Sequence, residues 1–409
     1  MSYCTTLHSD RSLGTRNPRW LCRSIELGRI LRLTLSETRI QCIPPNSISA
    51  MDLEKTECRY LICAGSDKKI TIYDTWKLAR DESSQGGLPK IATIGSKTRQ
   101  KKYMHKSTMS SIQWYPHDTG IFVTSAFDGT IKIWDTNRLR PAETLEINCV
   151  IHNHHLSPIS TQHSLIAAAS ADHIRLADIR SSATSHTLKG HRDTVLCVKW
   201  SPKDEYVLAS GSEDNRVLLW DVRQAKAVLH NLDQHNGDTT ASSAAVIFFR
   251  IVGTAHTGSV NSILFSEDGR YLLTFATDQR LHLWNTDTGK NTLVNYGRID
   301  NPSKHRYLGM TLYKGGATSS IAFVPSGRQI NMLDFYTGAH LRRLAGHFSD
   351  VRCCEYNPYR QELYSAGQTS NVLIWSPAEP DSEATVPSNG QNLAPTASSL
   401  LLDNWSDSD

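Results

Sequence analysis

His191, Ser210 and Asp214 bring an imidazole, a hydroxyl and a carboxylate close together in the chain, the three groups of a hydrolytic triad. The set returns as His105, Thr124 and Asp128, and again as His256, Thr274 and Asp278. Each set is followed at a near-constant offset by a tryptophan: Trp220, Trp134 and Trp284. A hydrolase of this type needs one nucleophile on its own strained turn, and no GxSxG turn occurs. Repetition reads instead as scaffold. An indole N–H, a hydroxyl, an imidazole and a carboxylate can form one buried hydrogen-bond chain, tying the loop before a first strand to the turn between the second and third. A further copy keeps His347, Ser365 and Trp375, with Thr369 where the acid would stand. No catalytic residue is expected.

Two other stretches invite chemistry. GSKT (95–98) resembles the end of a phosphate loop, but Ser96 separates the glycine from the lysine and the preceding spacing fails. Cys149, His152, His154 and His155 suggest a metal site. They fall near the end of a first strand, where neighbours point to opposite faces, and read better as hydrogen-bonded or partly exposed histidines. The nine cysteines form no CxxC pair, and Cys63, Cys197, Cys353 and Cys354 lie in apolar runs, which suits reduced, buried thiols. No metal and no cofactor are expected.

The positioning elements emerge from a repeat. The acids ending IKIWD, IRLAD and VLLWD are Asp135, Asp178 and Asp221, each 43 residues from the next. Weaker copies end at Asp74, Asn285, Asp334 and Ser376, making seven, with insertions expected near 79–102 and 232–252. Short alternating runs at a period of 40–45 residues predict an all-β, seven-bladed β-propeller of four-stranded blades. After Trp375 the chain enters SPAEP, so the last blade's fourth strand is expected from within Ile30–Ile43, closing the ring and removing its edges. The expected organisation is an N-terminal extension over 1–29, a propeller over 30–378 and a disordered acidic tail over 379–409.

Charge and hydropathy narrow the function classes. The longest apolar run, Ala244–Phe249, is too short for a membrane helix. The net charge is +4, although the tail carries six acids and no base. Basic excess in SKTRQKKYMHK (96–106) and among the arginines of 11–39 reads as solvated loops. No zinc-finger spacing, recognition helix or stacking motif accompanies it, so no sequence-specific nucleic-acid contact is expected. A rigid disc with many loops suits protein partners. Arg192, Asp193, Thr257, Phe348 and Asp350, beside the histidine corners, are candidate partner-facing residues.

Asp214, Trp220, Asp221 and Arg223 have the spacing of a box in WD-repeat proteins that act as substrate receptors of cullin-RING ubiquitin ligases. The third copy holds a partial version, Asp178 and Arg180 with Ala177 in place of the tryptophan. WYPHDTG (114–120), NHHLSP (153–158), LDQHNG (232–237), NTLVNYG (291–297) and QELYS (361–365) resemble the Cockayne syndrome group A family. The resemblance runs from about Ala50 to Ser376. It implies a nuclear, non-catalytic receptor in transcription-coupled nucleotide-excision repair. Its implied partners are the ligase adaptor (the large subunit of the damaged-DNA-binding complex) with cullin and RING subunits, the Cockayne syndrome group B translocase and stalled RNA polymerase II. It also implies that Trp220, Asp221, Arg223, Asp178 and Arg180 lie at the adaptor interface. A non-ligase scaffold for a chromatin or signalling complex is the alternative.

Two features depart from that family. Residues 1–29 lack a clear match, although SIELGRILRL (24–33) could supply an amphipathic adaptor-binding piece. AAVIFFRIV (244–252) is apolar where a polar connection belongs, either an extra packed strand or an aggregation hazard.

Overall fold

The structure, a computed structural model, describes residues 18–41, 47–77, 90–95, 102–159, 161–224, 228–237, 253–303, 305–315, 320–369 and 371–378. The tail, the apolar run 244–252, most of GSKT and the first half of the basic run lie outside the described residues. Residues Leu35–Ser376 form one compact unit, and the segments on either side are grouped as a second.

Among the described residues, the strands make seven antiparallel sheets, the seven blades of a β-propeller. Every repeated acid or its substitute ends or nearly ends a third strand. These strands are, for blades 1 to 7 in chain order, Ile70–Asp74, Thr130–Asp135, His173–Asp178, Val217–Asp221, Leu281–Asn285, Gln329–Asp334 and Asn371–Pro377. The strand Leu33–Gln41 completes the last blade beside Asn371–Pro377, so the ring closes as the proline-bounded end of the repeat requires.

Two details differ from the sequence reading. The first long gap holds the fourth strand of blade 1, Lys90–Ile94, so it is not purely inserted chain. Among the described residues blade 5 has three strands, not four, and the bridge of Trp284 to Asn291 marks the fourth position.

Burial falls from the first strand of a blade to its fourth. The first strand of blade 4, Val195–Trp200, is buried almost throughout, whereas the fourth strand of blade 3, Ala183–Lys189, is almost wholly exposed. Adjacent blades share a core: Ala167, Ala169, Ile174 and Leu176 meet Val195, Val198, Leu208 and Trp220. Small alanines on one blade leave room for the indole on the next, and this burial is the main driving force.

Polar residues at one register of the first strands add links between blades. Asp52 Oδ2 accepts the Trp114 N–H at 2.7 Å. Gln113 Oε1 accepts the Leu156 N–H at 2.8 Å, and His155 Nδ1 accepts the Trp200 N–H at 3.0 Å. Each satisfies a backbone donor that faces the neighbouring blade.

The second unit contains the helix Pro18–Ile30, opened by a proline, which lacks the N–H that would go unpaired there. Arg29 in its last turn favours the negative helix end. The helix starts six residues before the expected SIELGRILRL segment and stops at Ile30, because Leu33 already begins a strand.

Candidate functional site

The repeated sets are hydrogen-bond networks inside blades. In blade 4, Ser210 Oγ lies 2.7 Å from both His191 Nε2 and Trp220 Nε1. His191 Nδ1 faces the Asp214 carboxylate at 3.1 Å. Burial opposes the Asp214 charge, but the hydrogen bond and charge of His191 and the N–H groups of Arg192 and Arg216 hold its pKa below the ordinary range. The glycine before His191 is dictated by packing, since a Cβ at Gly190 would sit 2.9 Å from the Trp220 ring. Asn215, one residue after the acid, turns the hairpin at a φ of 66°.

Blades 5 and 2 vary this plan. His256 Nδ1 meets Asp278 at 3.0 Å and its Nε2 meets Thr274 at 2.7 Å, with Trp284 donating to the same hydroxyl at 2.9 Å. In blade 2, His105 and Trp134 meet Thr124 at 2.7 and 2.8 Å, but Thr130 stands between His105 and Asp128. Blade 7 keeps only His347, Ser365 and Trp375, and burial without an acid pushes the His347 pKa down to about 4. Each hydroxyl is enclosed by ring nitrogens inside a blade, a poor place for a nucleophile to meet a substrate.

At the opposite end of strand Val217–Asp221 the chemistry is different. Asp221 is buried and Arg223 is about half exposed. The Arg223 side chain grips that carboxylate with Nε to Oδ1 at 2.9 Å and Nη2 to Oδ2 at 2.8 Å, and its own N–H donates to Oδ1 at 2.9 Å. The bidentate contact lowers the Asp221 pKa and raises that of Arg223. Asp204 stands 3.6 Å away, and the guanidinium carbon lies 4.7 Å from the centre of the Tyr206 ring. Asp204 and Tyr206 escaped the sequence reading. They come from the turn between the first and second strands, and nothing in the Trp-Asp box points to them.

The partial box behaves otherwise. Asp178 Oδ1 accepts from Ser164 Oγ at 2.6 Å and from the Arg180 N–H at 3.1 Å. Among the described residues the Arg180 side chain forms no ion pair with it. Blade 1 supplies an unforeseen second clamp: Arg59 holds Asp74 through Nη2 at 2.8 Å and stacks near Tyr60 and Trp76.

The remaining candidates fall on the histidine-corner face. Arg192, Asp193 and Thr257 are exposed, Asp350 is half-buried, and Phe348 is 86% exposed. Two of the clustered histidines make internal hydrogen bonds. His154 is buried, with Nδ1 2.7 Å from Ser125 Oγ, and burial takes its pKa to about 3. His155 uses its Nδ1 lone pair on the Trp200 N–H, and burial, with the Lys199 charge, takes its pKa well below normal. Cys197, Cys353 and Cys354 are buried free thiols, and burial pushes Cys353 up to about 12.

The family described as WD domain, G-beta repeat matches residues 97–135, 182–221, 249–285 and 338–376. The chain is built of WD40 repeats. All four matches end at the third-strand position where the structure puts the tryptophan and its acid or substitute. This WD40 protein is 29% identical to the WD repeat-containing protein ATCSA-1 of Arabidopsis thaliana, over 90% of its own length and 94% of the relative's. It is 26% identical to radiation-sensitive protein 28 of Saccharomyces cerevisiae, over 44% of its length and 38% of that protein's. A ribosome biogenesis protein WDR12 homolog of Drosophila virilis is 28% identical over 53% of this chain and 54% of the relative.

Proposed function

We propose that this WD40 protein is the substrate-recognition subunit of a cullin-RING E3 ubiquitin ligase of the Cockayne syndrome group A kind, acting in the nucleus in transcription-coupled nucleotide-excision repair. The observation that carries the reading is the Arg223 clamp. A half-exposed guanidinium is fixed on a buried carboxylate at one end of a blade, where the resemblance expects the ligase adaptor to dock. A fixed arginine loses little rotamer freedom on binding, which favours its use at an interface.

The reading is supported by the end-to-end likeness to ATCSA-1, and the printed name of the yeast relative refers to radiation sensitivity. In this account Asp221 and Arg223 present the docking point, with Asp204 and Tyr206 holding the arginine in place. Asp178 and Arg180, in the adjacent blade, extend the same face. The adaptor, the large subunit of the damaged-DNA-binding complex, joins the chain to cullin and RING subunits. The rest of the propeller holds the Cockayne syndrome group B translocase and stalled RNA polymerase II. The chain itself makes and breaks no bond; it raises the effective concentration of target lysines at the ligase.

Mixing the purified chain with purified adaptor and following the pair by size-exclusion chromatography tests this. Co-elution as a stable complex is the expected result. Separate elution of two folded proteins would overturn the reading. It would favour a non-ligase scaffold in a chromatin or signalling complex, or a ribosome-assembly role suggested by the partial likeness to WDR12 homologs.

A further inference from the structure

Between the turn at Asp233–Gly237 and the hairpin carrying Asp278 lies a cleft of about 460 Å³, lined by Gln234, His235, Thr257, Asp278, Arg280 and Arg298. Its single acid is already engaged. Asp278 Oδ2 accepts from His256 Nδ1 and from the Thr257 N–H, both at 3.0 Å, with the Thr257 hydroxyl at 3.4 Å. Asp278 Oδ1 accepts the Arg280 N–H at 3.0 Å. Among the described residues neither Arg280 nor Arg298 has a carboxylate partner. Arg298 Nη2 donates to Gln279 Oε1 at 3.2 Å.

A cation site is the first alternative, because His256, Asp278 and His282 each bring one ligand atom within 4.8 Å of the others. The chemistry opposes it. His256 and Asp278 share a hydrogen bond whose proton a metal would have to displace, and His282 Nδ1 accepts from Asn291 Nδ2 at 3.0 Å. Two guanidiniums beside these groups repel a dication.

What the cleft offers is an excess of donors: two guanidiniums, an imidazole and an amide. That number suits a dianion with three acceptor oxygens better than a single carboxylate. The donors line one cleft. A nucleic-acid backbone would instead call for a charged groove along its length. We propose that this cleft binds the phosphate of a phosphorylated serine or threonine in a protein partner.

The site is independent of adaptor docking. In blade 4, strand Val217–Asp221 separates the Asp214 hairpin from Asp221, and Asp278 occupies that same hairpin in blade 5. The cleft therefore lies at the opposite strand ends from Arg223. It can be tested with the chain alone.

The full chain is applied to an array of degenerate peptides fixed at a central phosphoserine, beside matched arrays with serine or aspartate there. The affinity of the best peptide is then measured by fluorescence anisotropy. Selective capture of phosphoserine peptides is expected, with a loss of about tenfold or more in affinity for the double variant Arg280→Ala, Arg298→Ala. Arg298→Glu alone should weaken binding in the same direction, and Arg138→Ala, in blade 2, should leave it unchanged. All variants are checked by thermal melting. Equal capture of serine or aspartate peptides would overturn the proposal, as would capture of none. So would unchanged affinity in either folded cleft variant. Binding confined to a labelled single-stranded oligonucleotide would assign the cleft to nucleic acid instead.

Discussion

Arg223 and Asp221, two residues apart at the end of one strand, form a bidentate pair at 2.9 and 2.8 Å, with the acid buried and the base half exposed. The pair answers two needs at once. Asp221 is helped to keep its charge inside the blade by the cation held on it, and the cation is held at the surface by the fixed acid. Tyr206 beneath the guanidinium restricts it further. Arg59 and Asp74 repeat the arrangement in blade 1, so the clamp is a stabilising motif, and its use in docking depends on where it faces. Arg180, with no such grip on Asp178, is the weaker member of the expected interface.

The shared hydroxyl is the centre of each internal network. Ser210→Ala leaves the Trp220 indole N–H and His191 Nε2 without their partner inside a blade. It should cost about 1–3 kcal/mol, read as a lowered urea midpoint with an unchanged slope. Ser365→Ala should cost less, because the blade 7 network lacks the acid that fixes the ring.

Blade 7 can be repaired. Thr369→Asp puts a carboxylate at the offset from His347 that Asp278 has from His256. The variant should raise the His347 pKa from about 4 and so restore stability lost below about pH 6.5, read as a higher melting temperature near pH 5. NMR titration of the ring and a thermal scan read the two effects separately.

Acid should unfold the protein before its networked carboxylates are protonated. Burial lowers His154 to about 3, and His282 and His347 to about 4, below the ordinary histidine value near 6.5. Between those limits the unfolded chain binds protons that the folded chain refuses. The stability these rings contribute is therefore complete above about pH 6.5 and declines as pH falls toward 4, by up to about 1.4 kcal/mol per pH unit for each ring. Asp278, held near 2 against burial by His256, loses its contribution only below the normal carboxylate range. Urea unfolding from pH 4.5 to 7.5 should show the slope, and His347→Gln should make it shallower.

Much of this was legible in the chain. The acids at Asp135, Asp178 and Asp221 set the blade period, and the prolines after Trp375 required a closing strand from the other end. The offset from histidine to tryptophan stays at 28 or 29 residues in every copy that keeps both, because both rings must reach the same hydroxyl. Other features left no local mark. Lys90–Ile94 sits after an unusually long connection, which hides its place in the frame. Tyr206 and Asp204 meet Arg223 only through strand pairing. The links from Asp52, Gln113 and His155 become equivalent only in register, since an acid, an amide and an imidazole have no common pattern. They share a physical task, accepting one N–H from the next blade.

Docking of the proposed ligase adaptor on Arg223 is tested by the affinity of the purified chain for that adaptor, wild type beside Arg223→Ala, with both proteins melted to compare folding. Tight binding by the wild type is expected, with a loss of at least about tenfold, about 1.4 kcal/mol, in a variant of similar stability. Equal affinity in the two proteins would contradict the placement of the interface, and no binding by folded wild type would contradict the receptor function itself.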